Sequence, residues 1–182
     1  MNKKASSTLM LLLATVIWGS AFVSQNTAME HMGPFSFQAI RCFLGLLFML
    51  LCVFFFDRIN KSEKSYIEGW KDPTLWKVGL MCGIPLFFAI NLQQMGLVNT
   101  DAGKSAFLTA MYIVFVPILG IFRGQKPTKW IPISVVLGVA GLYFLSCVGV
   151  TSIATGDLLL LGCAMAFAVQ IIFVDIFANK VD

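Results

Sequence analysis

Charged residues are scarce in this sequence: Asp, Glu, Lys and Arg make up 12% of its 182 residues, whereas 58% are hydrophobic. A soluble domain with this balance would be covered in apolar surface. The chain also contains a single histidine, His31, and none of its five cysteines stands in a C-x-x-C motif. These shortages argue against a soluble domain, a metal centre and a disulfide scaffold, and they favour a chain whose solvent is lipid.

The formal net charge of +4 does not indicate a nucleic-acid partner. The 13 Lys and Arg residues are spread over short connections and form no basic stripe interleaved with aromatic residues. The sequence also lacks a nucleophile elbow, a histidine pair and a carboxylate pair at catalytic spacing. It therefore predicts neither an enzyme nor a cofactor or metal site.

Apolar stretches of about 20 residues, the length that crosses a bilayer as an α-helix, recur along the chain. We predict an all-α membrane protein with six such helices, at residues 8–28, 34–56, 75–97, 102–122, 131–150 and 156–178. The first stretch continues past the length of the apolar part of a signal peptide. We therefore interpret it as a retained helix.

Basic residues alternate between the connections of this layout. Nearly all of them lie before the first helix, between or beside the second and third, between the fourth and fifth, or after the sixth: Lys3, Lys4, Arg58, Lys61, Lys64, Lys71, Lys77, Arg123, Lys126, Lys129 and Lys180. The other connections, at 30–33, 99–101 and 151–155, contain none. Because cytoplasmic connections are enriched in Lys and Arg, the N-terminus is predicted to be cytoplasmic.

The first and sixth helices show a weak internal similarity. Leu9-Met10-Leu11-Leu12 matches Leu158-Leu159-Leu160-Leu161, and at the same offset Trp18-Gly19 matches Phe167-Ala168. The sixth helix would enter the membrane from the side opposite to the first, as an inverted repeat requires. This pattern indicates a five-helix unit, residues 1–150, followed by the first helix of a second unit, residues 151–182.

Several motifs in order resemble one EamA repeat of the drug/metabolite transporter superfamily. They are A-T-V-I-W-G-S-A-F at 14–22, Pro34 followed by R-C-F-L at 41–44, Gly96-Leu97 and T-D-A-G-K-S-A-F-L-T-A at 100–110 leading into Pro117, and G-V-A-G-L at 138–142. The resemblance covers residues 7–150. It implies a protein that moves small organic solutes across the cell membrane, commonly with ten helices in two inverted repeats.

This chain has six predicted helices where the family pattern has ten. The resemblance therefore implies half of a transporter, which would work by alternating access in the lipid bilayer with a second repeat-containing chain or a second copy of itself. The alternative is a non-transporting membrane subunit or a truncated, inactive product.

Four residues are the predicted substrate-pathway candidates: Trp18, Arg41, Asn91 and Gln94. Arg41 lies about 10 Å inside its span, where a cation is costly unless it faces protein or water. It would bind solute, or it would contact helix-end carbonyls or extend to the surface. The two amides would line a polar cavity or join helices, and Trp18 would form an aromatic wall or simply pack.

Three further residues are secondary candidates. Gln93 reaches the same level of the membrane as Arg41. Lys104 is expected to reach interfacial water or to pair with Asp101, three residues earlier on the helix. Asp175 would accept protons in a coupled transporter or would simply be hydrated at the interface. The pairs Gly79–Gly83 and Ala164–Ala168 are predicted to let helices approach closely.

Overall fold

The computed structural model describes residues 3–60, 69–125, 130–146 and 154–177. Within these ranges the chain is helical and forms no strand. The helices are α1 (Lys3–Met29), α2 (Pro34–Asn60), α3 (Pro73–Leu97), α4 (Ala102–Ala110), α5 (Tyr112–Phe122), α6 (Trp130–Ser146) and α7 (Thr155–Phe177). Helices satisfy their own backbone hydrogen bonds, which lipid cannot do. The prediction of an all-α membrane protein is confirmed.

Five helical stretches are long and apolar enough to span a membrane: Ala5–Met29, Pro34–Phe56, Pro73–Leu97, Ala102–Phe122 and Thr155–Phe177. The fourth of them is made of α4 and α5 together. Several predicted features lie outside the described residues, namely Cys147, the helix ends at 147–150 and 178, and Lys61, Lys64, Lys126, Lys129 and Lys180.

Two ion pairs mark the two ends of the helix bundle. At one end of the bundle, Arg123 beyond α5 pairs with Asp175 near the end of α7. At the other end, Asp157 in the first turn of α7 pairs with Lys104 in α4. We call these the Arg123 end and the Asp157 end. The helix α6 is apolar but shorter than the five candidate spans, and its 17 residues cover about 26 Å.

The closest helix pair is α3 with α7, and glycines bring the two backbones together. A Cβ built on Gly156 would lie 2.9 Å from the carbonyl oxygen of Gly96 and 2.5 Å from Oγ1 of Thr100. A Cβ on Gly96 would lie 2.6 Å from Cγ of Leu160. Neither position has room for a side chain, so small residues are required at both.

The small-residue prediction holds for α7, whereas for the start of α3 it stays a prediction. Ala164 and Ala168 are completely buried. In contrast, a Cβ on Gly79 or Gly83 would meet no atom within 4 Å among the described residues. A Gly-x-x-x-Gly step permits a close approach but does not provide the partner helix, and no described helix approaches this one.

The fourth span is interrupted at Met111, between α4 and α5. The amide of Met111 donates to the carbonyls of Leu108 and Thr109, a tightened turn that ends α4. Pro117 lies six residues later within α5 and supplies no backbone donor. The interruption places Tyr112 at the start of α5, next to a cavity.

Candidate functional site

A cavity of about 170 Å³, open on one side, lies between α1 and the fourth span. Its wall is mainly apolar and contains no charged residue. It is formed by Thr15, Trp18, Gly19 and Phe22 of α1 and by Ala106, Thr109, Ala110 and Tyr112 of α4 and α5. A volume of this size suits a small ring-containing solute.

Three aromatic side chains from three helices form one side of this site. Trp18 and Tyr112 are stacked, with ring centroids 6.3 Å apart and an interplanar angle of 13°. Phe167 of α7 contacts Trp18 edge-on at 6.0 Å and lies 6.3 Å from Tyr112. Trp18 nevertheless remains 43% exposed. The arrangement fixes its indole by ring contacts and leaves part of it uncovered by the described residues.

The other three primary candidates do not line this cavity. Asn91 donates from Nδ2 to the carbonyl oxygen of Phe87 in its own helix, at 2.8 Å. Gln94 is 1% exposed and donates from Nε2 to Sδ of Met29, at 2.8 Å, so it joins α3 to α1. Arg41 is half-buried. Their predicted role as solute contacts stays a prediction.

Gln93 lies behind the cavity wall. It is 2% exposed, and its Nε2 donates to Oγ1 of Thr109 at 3.4 Å. Thr109 is itself part of the cavity lining. This secondary candidate therefore connects α3 to the wall without lining the cavity.

Two further buried glutamines, Gln25 and Gln38, were missed by the sequence reasoning. They are 2% and 4% exposed, and Nε2 of Gln38 donates to Sγ of Cys42 at 3.2 Å. Helical spacing was the signal that could have found them. Gln25 follows Trp18 by seven residues and Gln38 precedes Arg41 by three, so each shares a helix face with a residue already chosen.

Lys104 forms a buried ion pair, but not with the partner expected from the sequence. Its Nζ lies 2.6 Å from Oδ2 of Asp157, and the two side chains are 15% and 6% exposed. The same oxygen accepts the backbone N–H of Ala154 at 2.8 Å. The expected pairing with Asp101 is therefore replaced by a bond to another helix. Helix packing brings Asp157 to Lys104, and i, i+3 spacing alone could not reveal it.

Asp175 forms a looser pair at the Arg123 end. Its Oδ2 lies 3.8 Å from Nη1 of Arg123, and the two side chains are 66% and 37% exposed. Among the described residues no group of three or more His, Cys, Asp or Glu could hold a metal ion. The carboxyl of Asp175 is therefore an exposed group whose partner among the described residues is Arg123.

Replacing Asp175 by asparagine is expected to change the unfolding free energy by less than about 0.5 kcal/mol, because exposed ion pairs contribute little. Thermal unfolding of the purified protein in detergent at low and high salt tests this. A loss of several degrees in the melting temperature would contradict it and would show that the pair holds α5 to α7.

The chain matches known proteins over most of its length. Residues 5–147 match the model of the EamA-like transporter family. An uncharacterized transporter of Archaeoglobus fulgidus is 31% identical over 171 residues, which are 93% of this chain and 49% of that protein. The uncharacterized transporter YwfM of Bacillus subtilis is 28% identical over 170 residues, 88% of this chain and 52% of YwfM.

A third relative, the uncharacterized transporter YoaV of Bacillus subtilis, is 21% identical over 136 residues, 74% of this chain and 44% of YoaV. The chain thus spans about half the length of these relatives. No solved structure matches it. The family match and the transporter relatives agree with the apolar helices described above. The chain is therefore a multi-pass membrane protein of the EamA-like transporter family.

Proposed function

We propose that this chain forms one side of a pathway for small organic solutes, that it works by alternating access, and that the solute binds in the cavity against Trp18. The observation that carries the proposal is the cavity itself. It lies between α1 and the interrupted fourth span, and the partly exposed indole of Trp18 forms part of its wall. Irregular backbone within a span is tolerated where it lines such a cavity.

The depth of the cavity supports this role. Trp18 lies 11 residues before the last residue of α1, which corresponds to about 16 Å along the helix. This is near the middle of a hydrocarbon layer of about 30 Å. Solute sites of transporters built from inverted repeats lie near this level, at the interface between the repeats.

The contact between Trp18 and Phe167 also supports an inverted-repeat arrangement. The two residues are equivalent in the alignment of the first and sixth predicted helices, and their rings touch in the structure. Equivalent residues meet only close to the axis that relates two repeats. In the proposal, residues 1–150 are one repeat, α7 opens the second, and a second repeat-containing chain or another copy completes the pathway.

Orientation in the proposal follows the basic residues. Arg123, Lys71 and Lys77 mark the ends of the spans at the Arg123 end, whereas Lys104 at the opposite end is neutralised by Asp157. The positive-inside rule then assigns the Arg123 end and the N-terminus to the cytoplasm of a cell whose plasma membrane holds the protein.

Solute flux tests the proposal. We expect proteoliposomes containing the chain to take up radiolabelled nicotinamide, an uncharged aromatic carboxamide of suitable size, faster than empty liposomes. Trp18→Ala should lower the protein-dependent rate at least about fivefold, because it removes the main ring surface of the wall. Trp130→Ala is the matched control, since Trp130 is 71% exposed at the start of α6.

Two results would contradict the proposal in different ways. Equal uptake rates for the Trp18→Ala variant and the unmodified chain would show that Trp18 does not contact the solute. Equal rates for the chain and for empty liposomes, with the protein shown to be folded and inserted, would favour a non-transporting membrane subunit.

A further inference from the structure

Three buried glutamines present oxygen atoms that have no donor among the described residues. Gln25, Gln38 and Gln94 are 2%, 4% and 1% exposed, and Oε1 of each accepts no hydrogen bond there. The amide nitrogens of Gln38 and Gln94 already donate to sulfur atoms. Buried acceptors without donors are rare because they are costly, so a donor group placed beside these oxygens would remove that cost.

The three residues lie at one level of the bundle, which we call the amide layer. Gln25 is four residues before the end of α1, Gln94 three before the end of α3, and Gln38 four after the start of α2. At 1.5 Å per residue, all three lie about 4.5 to 6 Å from the helix ends at the Asp157 end. The helix α2 packs against α1 and α3, and all three amides are buried among the described helices.

One residue of the amide layer, Gln25, lies on the same face of α1 as two residues of the cavity wall. Trp18, Phe22 and Gln25 follow one another at spacings of four and three residues and therefore share one face of α1. Phe22 lines the cavity, and Gln25 lies about 4.5 Å farther along the helix. A ring held against Trp18 and Phe22 would place its polar head group at the amide layer.

Charge restricts the head group. Arg41 shares the face of Gln38 at i, i+3 and would repel a cationic head group. A carboxylate has only acceptors, so it could not satisfy the glutamine oxygens. An uncharged group with N–H or O–H donors can donate hydrogen bonds to the glutamine oxygens and is not repelled by Arg41.

We infer that the amide layer binds the head group of an uncharged solute that donates hydrogen bonds, such as a carboxamide or an alcohol, while its ring occupies the aromatic cavity. The inference rests on the proposed function, because it assigns a solute chemistry to the same pathway. It adds a binding role for Gln25, Gln38 and Gln94.

Four pyridine probes with the same ring test the inference on the full chain in lipid nanodiscs. Nicotinamide is uncharged and has donors, methyl nicotinate is uncharged without donors, nicotinate is an anion, and 3-(aminomethyl)pyridine is a cation. Scintillation proximity binding of radiolabelled nicotinamide, with the others as competitors, should show nicotinamide bound about tenfold more tightly than each of the rest.

Substitutions test the contribution of the head-group site separately from that of the aromatic cavity. Gln25→Met, Gln38→Met and Gln94→Met conserve length and remove the amide, so each should reduce the preference for nicotinamide over methyl nicotinate to less than about threefold. Gln170→Met on α7 is the matched control and should retain the full preference. Trp18→Ala should weaken all uncharged probes together, and Arg41→Gln should improve binding of the cation.

The outcomes distinguish the two proposals. Equal affinity for nicotinamide and methyl nicotinate, unchanged in the three glutamine variants, overturns the head-group site and leaves the aromatic cavity in place. Tighter binding of nicotinate that is lost in Arg41→Gln also overturns it, because Arg41 would then hold the head group. Failure of all four probes to bind overturns both the head-group site and the proposed pathway.

Discussion

Replacing Gly156 by valine is expected to separate α7 from α3 and to lower the unfolding free energy by about 3 kcal/mol, the upper range for an overpacked contact. The first added carbon would already lie 2.5 Å from Oγ1 of Thr100 and 2.9 Å from the carbonyl oxygen of Gly96. The second of these is backbone and cannot turn away. The helices must therefore move apart.

Cys163 provides a direct readout of that movement. It is completely buried on α7 and packs with Ala89 of α3. Alkylation by N-ethylmaleimide, located by peptide mass spectrometry, should be at least about tenfold faster at Cys163 in the Gly156→Val variant, because reagent access follows local opening. Thermal unfolding in detergent gives the change in stability.

Gly83→Val is the matched control for this experiment. Gly83 lies on α3, but its Cβ would meet no described atom within 4 Å. Its effect on stability should stay below about 0.5 kcal/mol, with unchanged labelling of Cys163. Slow labelling in both variants would show that α7 does not depend on the glycine contact.

Removing Lys104 is expected to have an effect of similar size. Lys104→Met leaves the carboxylate of Asp157 buried without its cation, and breaking one partner of a buried pair costs about 3 kcal/mol or more. Asp157 is 4% exposed, so little water reaches its carboxylate while the helices stay packed. Because Asp157 lies in the first turn of α7, its unpaired charge would then loosen the start of that helix.

The double variant Lys104→Met/Asp157→Leu tests whether the cost comes from the unpaired charge. Because it buries no charge, it should recover at least about half of the stability that Lys104→Met loses. Lys77→Met, at an exposed position of α3, is the control and should unfold like the unmodified chain. Additive losses in the double variant would mean that the two side chains act independently.

Both substitutions also bear on the aromatic site. Gly156 and Asp157 hold the first turn of α7, and Phe167 lies about three turns farther along the same helix. Since Phe167 contacts Trp18 and Tyr112, loosening α7 removes one of the three rings that position the indole. Each variant should therefore reduce solute binding as well as stability.

The helical fold could be predicted because bilayer thickness acts on local sequence. A run of about 20 apolar residues is sufficient to indicate a span, whatever the rest of the chain does. The predicted ranges 34–56 and 102–122 agree with the observed spans Pro34–Phe56 and Ala102–Phe122. The turn at Met111 was not predicted, since Met111 itself carries no turn signal and Pro117 lies six residues away.

The candidate site was predicted only in part. Trp18 lies on the cavity wall, but Asn91 bonds within its own helix and Gln94 contacts α1. Helical spacing shows which residues share a face, yet it does not show which neighbouring helix that face meets. For the same reason Gly79 and Gly83 suggested a close contact that the structure places at Gly96 and Gly156.

Sequence alone determined the class of this protein, its helical segments and its family, because these follow from apolar run lengths and from motifs in linear order. Tertiary structure alone decided the partners: Asp157 for Lys104, Phe167 for Trp18, and the buried setting of Gln25. Lys104 and Asp157 are 53 residues apart in the chain. Such pairings depend on how whole helices pack in three dimensions, and no local pattern encodes that packing.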